Sequence, residues 1–271
     1  MDKSSLHLSH FNPSKQLSDC FNMVVLGHKH TGKSTLMRDI LYRLHSAGYP
    51  RVVVFSGTEE GNDFFQRSVP KAYIHHGMDL EKLKNIVDTQ RKIIASCKEA
   101  EQKLGRPPDV DTRLVIVLDD LMYKRHMTRT ELFGELFMNG RHWKITIILS
   151  CQYVMLLDTA CRANVDYLFV LREMIPKNRQ KIYDNFFGMF ARKQDFYRVL
   201  DSCTTNYECL VLDNTQPNMA IEKSIYWYKA TIDLPSFLFG GSRFQAWGRD
   251  TGASTGASTG ARCKQEIQQD A

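Results

Sequence analysis

Eight consecutive residues carry the most specific chemistry in this sequence: Gly27-His28-Lys29-His30-Thr31-Gly32-Lys33-Ser34. Their spacing fits GxxxxGK[ST] in full, the pattern of a loop that cradles nucleotide phosphates. Each residue type has a physical reason. The glycines let the chain turn so that successive N–H groups point inward at phosphate oxygens. A helix opening at Lys33 adds the positive end of its dipole. The reading assigns the Lys33 ammonium to the β- and γ-phosphates and the Ser34 hydroxyl to Mg²⁺. Thr35 is expected beside the α-phosphate. His28, Lys29 and His30 make the loop basic, either as solvated residues or as contacts to a bound anion. The implied ligands are ATP and Mg²⁺.

A second acidic motif follows the apolar run Leu114–Leu118 (LVIVL), which ends in Asp119-Asp120. Asp119, at the carboxyl end of a strand, is expected to hold Mg²⁺ through water, and Asp120 to act as general base for the attacking water. A further apolar run, Ile145–Leu149 (ITIIL), ends in Ser150-Cys151-Gln152. A strand and a long helix separate the two motifs. This spacing suggests the P-loop class in which an extra strand lies between them in the sheet. Gln152 is then the candidate γ-phosphate sensor, against the plainer reading of a Gln closing a strand. Such a site needs a cation from a neighbour to stabilise transition-state charge, worth roughly a thousandfold or more in rate. Arg141 is the leading candidate, followed by Arg162 and Arg172.

The elements that must position these residues alternate along the chain. Phe21–Leu26 reads as a buried strand, Ser34–Ser46 as an amphipathic helix and Arg51–Phe55 as a second strand. Residues 78–105 read as one long helix, ended by Gly105 and Pro107-Pro108, its apolar seam interrupted at Gln90 and Glu101. It either packs on the sheet or protrudes for assembly. Strands at Leu114–Leu118, Ile145–Leu149, Tyr167–Leu171 and Cys209–Leu212 follow. Continuous apolar runs separated by helices predict an α/β fold, a mainly parallel sheet sandwiched between helices. The expected class is an ASCE/RecA-like P-loop NTPase.

The 271 residues are 43% apolar, enough for one large domain with appendages, and carry a formal net charge of +6. That charge tilts the chain mildly towards anionic partners. We expect a polar N-terminal arm over 1–20, the ATPase domain over 21–215 and an aromatic-rich extension over 216–249. The extension docks on the domain or on a neighbour. The stretch 250–271, with its TGASTGASTGA repeat, is expected to be disordered. Seven cysteines show no metal-ligand spacing. Cys97, Cys151 and Cys161 sit in apolar patterns and read as reduced core residues, which points to a reducing compartment. No apolar run approaches the roughly 18 residues of a membrane span, and the reading is an intracellular protein.

Taken together, the motifs are familiar. GHKHTGKST, VVVFSGTEEGNDFF, LVIVLDDLM, NGRHWKITIILSCQY and RANVDYLFVLRE, in this order, resemble the genome-packaging ATPases of nucleocytoplasmic large DNA viruses, the poxvirus-type branch of the FtsK/HerA superfamily. The resemblance covers roughly residues 21–215. It implies a motor that moves double-stranded DNA into a preformed capsid. It also implies a homo-oligomeric ring, pentamer or hexamer, hydrolysing ATP at subunit interfaces, a capsid or portal-vertex partner, and a place in the host cytoplasm or viral factory. Lys33 and Ser34 map to the first motif, Asp119 and Asp120 to the second, Gln152 to the sensor and Arg141 to the arginine finger. One departure stands out: many relatives have Asp-Glu where this chain has Asp119-Asp120. Contacts to DNA need only Lys and Arg on the backbone. The candidates are Tyr123-Lys124-Arg125-His126 with Arg129, Lys177-Asn178-Arg179-Gln180-Lys181, and the basic phosphate loop itself. Two other readings remain, a nucleotide-gated structural switch with weak hydrolysis and a P-loop small-molecule kinase.

Overall fold

The computed structural model describes residues 8–57, 63–120, 127–217 and 220–250. Among these residues nine strands form one sheet: β1 (Ser9–His10), β2 (Asn22–Leu26), β3 (Arg51–Ser56), β4 (Ile74–His76), β5 (Leu114–Asp119), β6 (Ile145–Cys151), β7 (Tyr167–Val170), β8 (Glu208–Asp213) and β9 (Ile225–Lys229). Their order is β1-β9-β8-β7-β2-β6-β5-β3-β4. From β7 through β4 all neighbours are parallel, whereas β8 runs antiparallel to both β7 and β9. The central strands are Val/Ile/Leu-rich because both faces of a parallel sheet are covered.

Alternation along each strand divides the interior into two cores. Val24 and Leu26 face one, Met23 and Val25 the other. The helices begin with α1 (Pro13–Gln16), α2 (Lys33–Ser46) and α3 (Leu80–Leu104). They are followed by α4 (Glu131–Asn139), α5 (Thr159–Ala163), α6 (Pro176–Phe186), α7 (Lys193–Cys203), α8 (Ile221–Ser224) and α9 (Ser242–Asp250). Leu36, Met37, Ile40, Leu41 and Leu44 of α2 fill one core, while α3, α4, α6 and α7 close the other.

The long helix packs on the sheet rather than protruding along its length, through Leu83 and Val87. It is capped at both ends. The Asp79 side chain accepts from the Lys82 N–H at 2.9 Å, and Gly105 takes the left-handed conformation (φ 67°) that a C-terminal cap favours. The seam's break at Gln90 is structural. This fully buried amide donates to the Thr112 and Trp143 carbonyls at 2.7 and 2.8 Å and accepts from Arg51 at 3.0 Å. Glu101, the other break, lies on the last, exposed turn.

The two ends of the chain depart from the expected division. Residues 8–20 are not a loose arm: β1 pairs in parallel with β9, and Phe11 is completely buried among Tyr167, Phe169, Tyr226 and Tyr228. One large aromatic in a polar stretch anchors it. The aromatic segment expected as an extension docks on its own domain. It supplies β9 to the sheet, sets Phe237 against Tyr42 and His45 of α2, and stacks Phe244 on Tyr73 at 3.7 Å. The expected disordered stretch begins one residue too early, since α9 runs to Asp250; residues 251–271 lie outside those described. Cys151 and Cys161 are buried free thiols, but Cys97 is only half-buried on α3.

Candidate active site

Parallel pairing brings the motifs to one edge of the sheet. β6 lies between β2 and β5, with Leu26 level with Cys151 and Leu118 level with Leu149. The phosphate loop, leaving β2, and the acidic pair, leaving β5, therefore face each other across the end of β6. The inserted strand expected from the spacing is β6.

The loop is built for close approach. A Cβ at Gly27 would lie 2.6 Å from Thr31 Oγ1 and 2.9 Å from Leu171 Cβ, so only glycine fits. Gly32 (φ 99°) and His30 (φ 64°) adopt the left-handed conformation on which an anion-binding turn is built. The Thr31 hydroxyl and the Lys33 ammonium both donate to the His28 carbonyl, at 2.8 and 2.9 Å. Burial lowers the Lys33 pKa, and the charges of Asp120 and Asp119 act against that shift. Lys33 is thus a nearly buried cation held opposite two carboxylates. Ser34 and Thr35 follow on the first turn of α2, partly exposed.

Asp119 is almost fully buried. Ser150 donates to its Oδ1 at 2.6 Å, and the Ser56 hydroxyl lies 3.4 Å from Oδ2. Burial raises its pKa, while Ser150, Lys33 and Ser56 pull it down. Asp120, in the left-handed region (φ 50°), donates its N–H to Ser150 Oγ at 3.0 Å and accepts from Gln152 Nε2 at 2.9 Å. Ser150 therefore fixes both acids at once. Gln152, predicted beside the site, is hydrogen-bonded to the candidate base. Among neighbouring thiols, burial pushes Cys151 up to about 12, which leaves it inert.

Three parts of the site were not assigned from sequence. Ser56 and Ser150 hold Asp119; their signal was a hydroxyl at each strand's end. Glu173, just past β7, is nearly buried and accepts from His28 Nε2 at 3.0 Å, from the Ile175 N–H at 2.8 Å and from Asn178 at 3.0 Å. It ties the loop's first histidine to the start of α6. Lys29 and His30 are exposed.

The arginine candidates scatter. Arg141 pairs with Asp166 at 3.3 Å, and Asp166 accepts from the Asn22 N–H at 2.8 Å. That is the amino end of β2, about 16 Å from the loop at the far end of this five-residue strand. Arg141 does not serve its own site. Arg162 is bound to Leu157 and Thr159 in α5. Arg172 is exposed one residue past Leu171, at the loop's edge of the sheet. Of the DNA candidates, residues 123–126 lie outside those described, and Arg129 is exposed. Lys177 and Lys181 are exposed on α6, but Arg179 is held by Asp201 at 2.8 Å and by the Tyr197 ring.

A buried lysine in a glycine-turned loop, facing a buried strand-end carboxylate across one inserted strand, defines a P-loop NTPase. Comparison with known proteins agrees. The sequence profile of the Poxvirus A32 protein family matches residues 8–215, so the chain belongs to that family, the poxvirus-type packaging ATPases, and is an ATPase. It is 32% identical to protein L437 of Acanthamoeba polyphaga mimivirus over 90% of this chain and 84% of that one. Its fold is similar to the genome packaging NTPase B204 of Sulfolobus turreted icosahedral virus 2, solved with AMPPCP. That match has a TM-score of 0.52 at 17% identity, over 79% of this chain and all of the other. It also resembles ATPases 2 and 3 of EssC from Geobacillus thermodenitrificans, with a TM-score of 0.53 at 11% identity, over 92% of this chain and 43% of that one.

Proposed function

We propose that this ATPase is a double-stranded DNA translocase that packages a viral genome into a preformed capsid, working as a homo-oligomeric ring in the infected cell's cytoplasm. The observation that carries the reading is the buried Asp119 and half-buried Asp120, fixed by Ser150 and Gln152 opposite Lys33, in a chain of the packaging family. The fit to ATP and Mg²⁺ rests on the glycine-turned loop that ends in the nearly buried Lys33 and on the buried Asp119 carboxylate whose charge acts on Lys33. Ser34 and Asp119 would hold Mg²⁺, which when bound neutralises charge on the phosphates.

The chain's own residues do the rest. Lys33 exchanges the His28 carbonyl for phosphate oxygens. Ser150 holds the Asp119 carboxylate and the Asp120 backbone N–H together at the end of β5. Asp120 accepts the proton of the attacking water once Gln152 releases it, and Gln152 then senses the γ-phosphate. Aspartate is one methylene shorter than the glutamate of many relatives, and here its carboxylate is held by Gln152 at 2.9 Å. Arg141, at the opposite sheet end, acts only if a neighbour in the ring presents it to the next site. The exposed Lys177 and Lys181 contact the DNA backbone, and a capsid or portal component receives the motor.

The test is ATP hydrolysis by purified protein with and without long double-stranded DNA, beside Lys33→Ala. Strong stimulation by DNA, weakened by salt and lost in the variant, is expected. Phosphate transfer to a small acceptor without DNA would reject the reading. A nucleotide switch is the second reading, because Gln152 holds Asp120 and the His28 carbonyl holds Lys33. ATP binding without hydrolysis under any DNA condition would favour it.

A further inference from the structure

We infer that Tyr207 is the platform on which the nucleotide's base stacks, a subsite that deepens the ATPase reading and rests on it. Tyr207 is the most exposed large apolar or aromatic side chain among the described residues, at 69%. Its ring nevertheless lies against the phosphate loop: a Cβ at Gly32 would sit 3.4 Å from Tyr207 Cδ1. An exposed aromatic touching a phosphate cradle is placed where a bound ligand would cover it.

The topology says which part of the ligand that is. Asp119, Asp120 and Gln152 leave β5 and β6, on one side of the P-loop strand β2. The γ-phosphate faces those groups, so the other end of the nucleotide extends to the opposite side, over β7 and β8. β8 is antiparallel, with Leu210 level with Val170 at the carboxyl end of β7. The residues entering β8 therefore return to the catalytic edge of the sheet. Tyr207 immediately precedes β8 and stands on that base side.

The backbone supports the placement. Asn206 (φ 50°) and Tyr207 (φ 62°) are consecutive non-glycine residues in the left-handed region. Asparagine tolerates it, but a bulky tyrosine there is an outlier of the kind that marks ligand clamps. A flat ring with an apolar face suits a purine or pyrimidine, which stacks without hydrogen-bond readout. A Cβ at Gly32 would make ordinary van der Waals contact with the ring, so the ring packs directly over the loop's glycine.

The experiment is calorimetric binding of ADP and of inorganic tripolyphosphate to wild type, Tyr207→Ala and Tyr207→Phe. ADP affinity is expected to fall about tenfold or more in Tyr207→Ala and to hold in Tyr207→Phe. Tripolyphosphate, which has no base, is expected to bind all three equally. Unchanged ADP affinity in Tyr207→Ala overturns the assignment. Equal weakening of ADP and tripolyphosphate also overturns it, by showing that Tyr207 only shapes the loop. Wild type binding neither ligand overturns the phosphate-site reading, and this one falls with it. The exposed position lets the alanine variant fold, and its circular dichroism and melting curve check that it has.

Discussion

At the scale of single residues, the site is organised around carboxylates that are costly to bury. Asp119 sits at 3% exposure, and burial raises its pKa despite two serine hydroxyls and Lys33. A carboxyl whose folded pKa is raised binds its proton more tightly in the native state. Its contribution favours the fold at low pH and is lost as pH rises from the ordinary carboxyl value through the raised one. Asp119→Asn removes that titration. The variant is expected to melt a few degrees above wild type at neutral pH, with nucleotide and magnesium absent, and to hydrolyse no ATP. The gain should shrink as pH falls towards about 4. Melting curves at the two pH values check it; a variant less stable than wild type at neutral pH would show that Asp119 is not a buried liability. Function placed at the expense of stability is the expected pattern at such a site. Gln152 was expected near the γ-phosphate, and it is hydrogen-bonded to Asp120, the candidate base.

At the scale of elements, helices that look irregular in sequence are regular for a tertiary reason. Gln90 breaks the apolar seam of α3 because two carbonyls, at the loop before β5 and the turn before β6, end against that helix. Strand pairing satisfies neither; the buried amide donates to both, and Arg51 shares the Thr112 carbonyl at 2.6 Å. Gln90→Leu keeps the volume and removes the donors. It is expected to cost about 1–3 kcal/mol and to lower the melting temperature by several degrees, measured by thermal or urea unfolding. A neutral substitution would mean water replaces the amide. Glu173 links elements in a similar way, joining the phosphate loop to the first turn of α6 through His28 and Asn178. A change at the loop therefore has a direct route to the helix that carries Lys177 and Lys181.

At the scale of the molecule, the first and last described segments complete the sheet together. β1 adds to β9, and Phe11 lies at the centre of an aromatic cluster that closes the core above β7 and β8. Phe11→Ala is expected to cost about 3–5 kcal/mol, as much as a substitution deep in a core, although the residue sits in a stretch of polar sequence. Denaturant unfolding checks this. A loss under about 1 kcal/mol would show that the N-terminal strand detaches without consequence. Strand β9 and Phe237 also brace α2, Tyr228 against Asp39 and Phe237 against Tyr42, and the first turn of α2 belongs to the candidate phosphate site. The segments at either end of the described chain thus hold the helix that opens at that loop.

The sequence by itself determined the local chemistry: the phosphate loop, the acids at the end of an apolar strand, Gln152 beyond the next, and the alternation that makes a parallel sheet. Those features are legible because each is written in consecutive residues. A loop's spacing fixes its turns, and a run of Val and Ile can hardly be anything but a buried strand. Only the tertiary structure decided what depends on residues far apart. It decided that Ser150 serves both Asp119 and Asp120, that Glu173 restrains His28, that Arg141 lies at the wrong end of the sheet for its own site, and that Tyr207 touches Gly32. β1 and β4 escaped notice because two or three residues carry no periodicity, and β9 because its aromatics read as a docking patch. Their strand character comes from the neighbour whose hydrogen bonds they complete, and no window of sequence contains that neighbour.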